Sequence, residues 1–387
     1  MTDNALRFGV FLAPFHPLEE SPTALFARDL DLITECDNLG FDEAWFGEHH
    51  SGGFETSGAP ELMIAAAAER TRHIRLGAGV KSLPYHNPFI VADTMVQLDH
   101  MTRGRALFGV GPGALPSDAY QFGIEPRDTR RMMDESLDVI MRLLDGERVS
   151  VRTDWFHLRD ARLQLGNYTR PHMEMAVTSI RSPAGAVAAG KYGIGMLSLG
   201  GVSDDALAAY ACNWGICEDA AAQHGKTVSR ENFRVAIFMH LRETREQALA
   251  DISHGFHKWL GYSQDVLAFG PVPKGTENPI DFIRDTRRAV IGTPQDVIQA
   301  IEDAQAGSGG FGTVLLMAHD WADGPASARS RELFARDVMP YFRDHSAGRR
   351  DSYDFATEHH EQFFDAAQKG LADAAERHEA DKETAKK

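Results

Sequence analysis

The sequence is poor in cysteine, in positive charge and in long apolar runs, and each shortage removes a class of function. Cys36, Cys212 and Cys217 are the only cysteines in 387 residues, and no two form a C-x-x-C pair. A disulfide framework and a zinc ribbon are therefore both excluded, and a reducing compartment suits the chain. Lys plus Arg number 40 against 56 Asp plus Glu, a formal charge of −16. Such a surface would repel a nucleic-acid backbone, so no nucleic-acid partner is expected. No stretch reaches the roughly 18 apolar residues that span a bilayer. The chain opens Met1, Thr2, Asp3, Asn4, Ala5, Leu6, Arg7 and passes straight into a strand-like run, with no basic region ahead of a signal core. The expectation is a cytoplasmic protein with no membrane partner. What remains, 43 % hydrophobic and 25 % charged residues, is ordinary for a folded globular chain.

Short runs rich in Val, Ile and Phe alternate with longer stretches of helical period, the pattern of βαβ units on a parallel sheet. Strands are expected at 8–13, 43–47, 74–80, 106–111, 175–179, 195–199, 235–241 and 313–318. Between them, helices are expected at 23–39, 60–70, 88–101, 131–144, 183–191, 204–224 and 294–306. Pro60, Pro88, Pro183 and Pro294 stand at helix starts, where the missing N–H costs nothing. Eight strands in this alternation fit an α/β fold of the closed (β/α)8 TIM barrel type better than an open sheet. The barrel is expected over 1–343. Within it, the Pro-rich segment 261–288, after the seventh strand and its helix, lacks a sustained helical period and reads as a lid insertion. A charged helical tail is expected over 344–387, anchored by Phe355, Phe363 and Phe364 and fraying towards Lys387.

Such barrels build their active sites at the C-terminal ends of the strands. Those ends carry Pro14, Phe15 and His16; Glu48, His49 and His50; Lys81 and Ser82; Pro112 and Gly113; Ile180, Arg181 and Ser182; and His319, Asp320 and Trp321. The His49 and His50 pair is the most concentrated ionisable feature, and imidazole can donate or accept a proton near neutrality; a solvated or capping pair is the plainer reading. Gly77, Ala78, Gly79 and Val80, and likewise Gly109 and Gly111, either let a flat ring approach the backbone or serve a bulge and tight packing. The run 108–113 is not a Rossmann fingerprint, because no helix opens with a third glycine at the required spacing. Ser179, Arg181 and Ser182 close the fifth strand ahead of a helix, where free amides, hydroxyls and a cation make an anion site; simple N-capping by Ser182 explains that serine equally well. Arg127, Arg130 and Arg131 can add a cation or merely form a solvated charge run.

Five motifs carry a family likeness: Phe8 to His16 (FGVFLAPFH), Gly40 to His50 (GFDEAWFGEHH), Leu98 to Arg105 (LDHMTRGR), Gly109 to Asp118 (GVGPGALPSD), and Gly309 to Gly312 (GGFG) followed by Ala318 to Trp321 (AHDW). Over residues 6–343 the chain resembles the bacterial luciferase-like superfamily of flavin-dependent monooxygenases. Within that superfamily it is most similar to the limonene 1,2-monooxygenase-like branch, which is akin to the type II Baeyer–Villiger diketocamphane monooxygenases.

The resemblance implies a (β/α)8 barrel that binds reduced FMN, with FAD as an alternative, at its C-terminal mouth. It further implies a separate NAD(P)H:flavin reductase, a homodimer, and oxygenation of a small apolar terpene, alkene or ketone by O2 through a flavin C4a-peroxide. By motif, Gly79 and Val80 take the place of the non-prolyl cis peptide beneath the flavin ring. His49 takes that of the histidine at its reactive face, and Arg130, Ser179, Ser182 and Ala184 those of the phosphate site. Gly111 stands where luciferase proper has a cysteine, which argues against light emission from a long-chain aldehyde. Phe15, Trp45, Phe54, Trp321 and the insertion are expected to form the apolar substrate wall, simple core being the alternative.

Three other readings compete. A metal-dependent hydrolase on the same barrel would use strand-end histidines and Asp320, yet the first strand ends Ala13-Pro-Phe-His16 without paired H-x-H ligands and no bridging lysine or carboxylate stands out on a middle strand, so no metal is expected. A deazaflavin-dependent oxidoreductase would fit the same barrel. A binding subunit that has lost catalysis is disfavoured by the presence of His49, the glycine strand end and the phosphate turn.

Overall fold

A computed structural model describes residues 6–13, 15–180, 182–268, 270–344 and 346–385. Pro14, Arg181 and Lys387, named above, lie outside the described residues. The first compact unit runs to Met339 and a second begins at Pro340.

Eleven strands are present among the described residues of the first unit: β1 (Arg7–Leu12), β2 (Glu43–Phe46), β3 (Arg75–Ser82), β4 (Ala106–Gly111), β5 (Val149–Arg152), β6 (His157–Ala161), β7 (Met175–Thr178), β8 (Gly195–Leu199), β9 (Phe233–Leu241), β10 (Ala289–Gly292) and β11 (Thr313–Met317). Eight of them, β1, β2, β3, β4, β7, β8, β9 and β11, pair in parallel in that order, and the β8–β9 and β11–β1 pairings close the ring. These are the eight strands expected from the apolar runs. Being covered on both faces, they read as continuous hydrophobic stretches and not as alternating ones. The helices around them are α1 (Pro22–Leu39), α2 (Pro60–Arg70), α3 (Pro88–Thr102), α4 (Pro116–Gln121), α5 (Thr129–Leu144), α6 (Ala184–Tyr192), α7 (Asp204–Gln223), α8 (Arg245–Ile252), α9 (Phe256–Asp265), α10 (Pro279–Asp285), α11 (Pro294–Ser308) and α12 (Gly324–Leu333). Pro60, Pro88 and Pro294 are each the first helical residue, and Pro183 immediately precedes α6.

The barrel is filled, not hollow. Trp45 is fully buried in its interior and donates from Nε1 to Glu43 Oε2 at 2.9 Å. A Cβ on Gly77 would fall 2.6 Å from the Trp45 ring, and one on Gly109 2.9 Å from it, so these glycines make room for the indole. Below Trp45 the N-terminal ends of the strands are tied by charge. Arg234, with no exposed surface, donates from Nε and Nη2 to Glu43 at 2.7 and 2.9 Å and also to Glu174, with Arg7 and Arg75 alongside. A buried charge of this kind is tolerated only because it is paired and hydrogen-bonded throughout.

The structure departs from expectation in three places. The segment 261–288 is not without helix: α9 runs through Gly261 to Asp265, and Pro279 opens α10. Pro271 and Pro273 lie between the two helices and interrupt the period. Phe256, Trp259, Tyr262, Val272 and Ile283 belong to one apolar cluster continuous with the barrel interior, so the insertion is anchored over the strand ends. Directly after it comes β10, four residues that pair with Phe238–Leu241 in the far half of β9. The β5–β6 hairpin was also not anticipated; several of its positions are exposed, which leaves no long apolar run to read.

In the second unit, helices Ala347–Glu358 and His360–Thr384 match the expected helical tail, but Phe355, Phe363 and Phe364, expected to anchor it, are exposed. There His359 stands between Phe355 and Phe363, at ring separations of 4.6 and 5.9 Å. No helix among the described residues is long and apolar enough to cross a membrane.

Candidate active site

The chain leaving β2 turns at Gly47, whose amide donates to Leu12 O, and is held again where His49 N donates to Ser57 O. This loop is pinned to the loop after β4. Asp118, fully buried on α4, accepts from His49 Nδ1 at 3.1 Å, from the His50 amide at 3.1 Å and from the Ser51 hydroxyl. The other ring nitrogen of His49, Nε2, stands 3.2 Å from Oε2 of Glu55, as an ion pair whose geometry leaves that carboxylate oxygen without a hydrogen bond. Burial opposes a charge on His49, but Glu55 and Asp118 outweigh it and hold the imidazole above its ordinary pKa. Asp118 is likewise disfavoured as an anion by burial, yet hydrogen bonds from His49 and Ser51 hold it below the usual carboxylate range. The result is an imidazole whose charged form is favoured, with Nδ1 on Asp118 and Nε2 facing Glu55.

The neighbouring strand end contains the Gly79–Val80 bond in the cis form, within an irregularity of the β3–β4 pairing between Ala78 and Lys81. A Cβ on Gly79 would meet Phe11 and Trp45 at 2.9 Å, and one on Gly111 would meet Val80 at 2.6 Å and Thr178 Oγ1 at 2.8 Å. Tight packing thus accounts for all four of Gly77, Gly79, Gly109 and Gly111.

Ser179 and Ser182 flank the turn from β7 into α6. Arg130 Nε donates to Ser182 Oγ at 3.2 Å, and the same oxygen accepts from the Ala184 amide at 3.3 Å. The buried Ser179 hydroxyl has no hydrogen-bond partner. Arg130 is exposed and pairs with no carboxylate among the described residues. Arg131, by contrast, is committed to Glu135 and Asp154. A cation without a carboxylate partner among the described residues, an unpartnered buried hydroxyl and the start of a nine-residue helix meet on one turn, a combination that suits an anion.

The expected substrate wall assembles only in part. Phe15, Phe54 and Trp321 come together with Phe238, Trp259 and Tyr262, which sequence reasoning did not single out. Phe15 lies 5.5 Å from Tyr262, Phe54 4.8 Å from Tyr262, and Trp321 stacks on Phe238 at 5.0 Å. Trp45 is not among them; it lies in the barrel interior. Asp118 and Glu55 were also missed as partners of His49, although Asp118 closes one of the quoted motifs. Pairing across 69 residues has no local signal.

Two further clusters sit at the strand ends. His16 bridges Asp29 and Asp320 at 3.1 Å each, with Arg28 on Asp320 at 2.6 Å. Glu48, His50 and His86 converge closely enough to resemble a metal-ligand set. However, Lys81, on β3, places its ammonium 2.8 Å from Glu48 Oε1, and His86 is 2.6 Å from the same oxygen. That carboxylate is already neutralised by Lys81, one of the strand-end residues named above, which works against the hydrolase alternative.

Comparison with known proteins identifies the family. Residues 6–310 match the family described as Luciferase-like monooxygenase. The chain is 43 % identical to limonene 1,2-monooxygenase of Rhodococcus erythropolis over 384 residues, 99 % of each protein. It is 47 % identical to 4-hydroxyprotoasukamycin monooxygenase of Streptomyces nodosus subsp. asukaensis, over 91 % of this chain and 96 % of that one. Among solved structures, the oxygenating constituent of 3,6-diketocamphane monooxygenase from Pseudomonas putida, a type II Baeyer–Villiger monooxygenase in complex with FMN, superposes with a TM-score of 0.70 at 25 % identity, covering 87 % of this chain and 98 % of that one. With barrel, strand-end chemistry and relatives in accord, the chain belongs to the luciferase-like monooxygenase family, and its activity is that of a flavin-dependent monooxygenase.

Proposed function

We propose that the protein is the oxygenating component of a two-component system, taking reduced FMN from a separate NAD(P)H:flavin reductase and inserting one atom of O2 into a small apolar alkene or ketone of terpene type. The observation that carries this reading is the phosphate turn, in which Arg130, Ser182 and the Ala184 amide are already in contact and the Ser179 hydroxyl is buried without a partner. These residues fit the terminal phosphate of FMN. The FMN-bound Baeyer–Villiger relative supports the choice of cofactor, and the limonene and diketocamphane relatives support the substrate class.

Bound reduced flavin supplies the electrons and the carbon centre at which O2 is activated. The chain's own residues do the rest. Arg130, Ser182 and the α6 N-terminus would hold the phosphate. His49, held on Asp118 through Nδ1 and facing Glu55 through Nε2, is the imidazole placed to hold or move a proton at the reacting centre. The aromatic wall of Phe15, Phe54, Phe238, Trp259, Tyr262 and Trp321 supplies an apolar surface for the substrate and keeps water out. The segment 261–288, seated over the strand ends, closes this chamber as a lid. Mixing the anaerobically reduced FMN complex with ¹⁸O2 and either a monoterpene alkene or a cyclic terpene ketone tests the reading. One labelled oxygen in the product is expected, and oxygen drawn from water, or hydrogen peroxide as the sole product with both substrate types, contradicts it.

A further inference from the structure

The groups around His49 form a continuous chain that the family-based reading does not use. Tyr262, on α9, packs its ring against Phe15 and Phe54 in the substrate wall, and its hydroxyl donates to Glu55 Oε1 at 2.7 Å. Glu55 turns its other oxygen, Oε2, to His49 Nε2 at 3.2 Å, and that oxygen is buried with no hydrogen bond of its own. Asp118 holds the far side of the ring. The 51–53 loop follows the same contact, since a Cβ on Gly52 would fall 2.9 Å from Val266 and 3.3 Å from Tyr262.

We propose that Glu55 and Tyr262 are positioning residues for His49: the Tyr262 hydroxyl fixes one carboxylate oxygen of Glu55 so that the other stays against the imidazole, and α9 thereby supports the charged form of His49. The inference rests on the reading that His49 serves the reacting centre. The charged and titratable groups facing His49 are Glu48 and His50 beside it in the chain, Glu55 ahead of α2, Asp118 on α4 and, through Glu55, Tyr262 on α9. Burial and the adjacent Glu55 push the Tyr262 phenol up, so it is a donor at every working pH. An opposite charge within about 4–6 Å raises an imidazole by roughly 1–3 units. Without the Tyr262 hydroxyl, Glu55 loses its donor and its fixed orientation, and His49 loses part of that support.

The test is an NMR titration of His49 in the flavin-free protein, with its resonance assigned by loss in His49→Gln. Glu55→Gln removes one charge and keeps the shape; the His49 midpoint is expected to fall by about one unit or more, a tenfold change in proton affinity. Tyr262→Phe keeps the ring packing and is expected to give a smaller fall in the same direction. An unchanged midpoint in Glu55→Gln overturns the inference, and an unchanged midpoint in Tyr262→Phe removes Tyr262 from it. A folding defect does not mimic this result, because Phe238→Leu, which disturbs the same wall through Phe15, Trp259, His319 and Trp321, is expected to leave the His49 midpoint in place. A second readout separates this inference from the function it rests on. With reduced FMN, O2 and substrate, the pH at which oxygenation gives way to hydrogen peroxide should move down in Glu55→Gln together with the His49 midpoint. A moved midpoint with an unmoved peroxide profile upholds the positioning chain and overturns the role of His49 at the reacting centre.

Discussion

Replacing Arg130 by Ala probes the phosphate turn with the least disturbance elsewhere, because the side chain is exposed and its one side-chain hydrogen bond among the described residues goes to Ser182 Oγ at 3.2 Å. A hydrogen bond to a charged group contributes roughly 1.5–3 kcal/mol. Solvent screening of an exposed guanidinium places this one at the lower end, about 1.5 kcal/mol or roughly tenfold in affinity. The loss should shrink further as salt rises, since the Debye length falls from about 10 Å at 0.1 M to about 3 Å at 1 M. Ser182→Ala removes a neutral partner and should cost a few-fold, within the roughly 0.5–1.5 kcal/mol of such bonds. Anaerobic fluorescence titration with FMN and with riboflavin decides the matter. Riboflavin carries the same ring system without the phosphate, so the parent's preference for FMN should collapse in Arg130→Ala while riboflavin affinity is unchanged. If both flavins weaken equally, or neither does, the phosphate does not sit at this turn.

Three further outcomes follow from the fold. Glu43→Ala leaves the fully buried Arg234 with Glu174 as its remaining close partner, and loss of one member of a buried pair costs about 3–5 kcal/mol; urea unfolding should show it, and a loss under about 1 kcal/mol would contradict the assigned role of the barrel floor. Burial alone would lower His16, but Asp29 and Asp320 raise it to about 9, so its contribution to stability is complete below its ordinary value of about 6.5 and is lost as pH rises through about 9. Thermal unfolding should therefore show a decline over that window that His16→Gln lacks, and identical profiles would remove the cluster as its source. Trypsin should cut the free protein first at Lys274, which is exposed between α9 and α10, and more slowly with flavin and substrate bound; equal rates would mean that the segment does not open.

The barrel was legible because its eight strands are buried on both faces, which leaves runs such as Val235 to Leu241 or Thr313 to Met317 in plain view. Strand β10 was hidden by its four-residue length and by the prolines before it. His49 was readable from its place after the second strand. Its partners were not: Asp118 and Tyr262 come from distant parts of the chain and meet it only through the fold, and Glu55, though in the same loop, stands at no spacing that marks it as a partner. Trp45 shows the same limit from the other side. Its aromatic character suited a substrate wall, but β2 directs it inward onto Glu43 and two glycines that the sequence left open to either a flat ligand or tight packing.

The central claim is that reduced FMN arrives by diffusion at a site built for its phosphate. Anaerobic binding titration of the flavin-free protein with FMN, FAD and a deazaflavin, each oxidised and reduced, addresses it directly. Reduced FMN is expected to bind more tightly than oxidised FMN and more tightly than either form of the other two. Tighter binding of reduced deazaflavin, or equal affinity for oxidised and reduced FMN, would contradict the account.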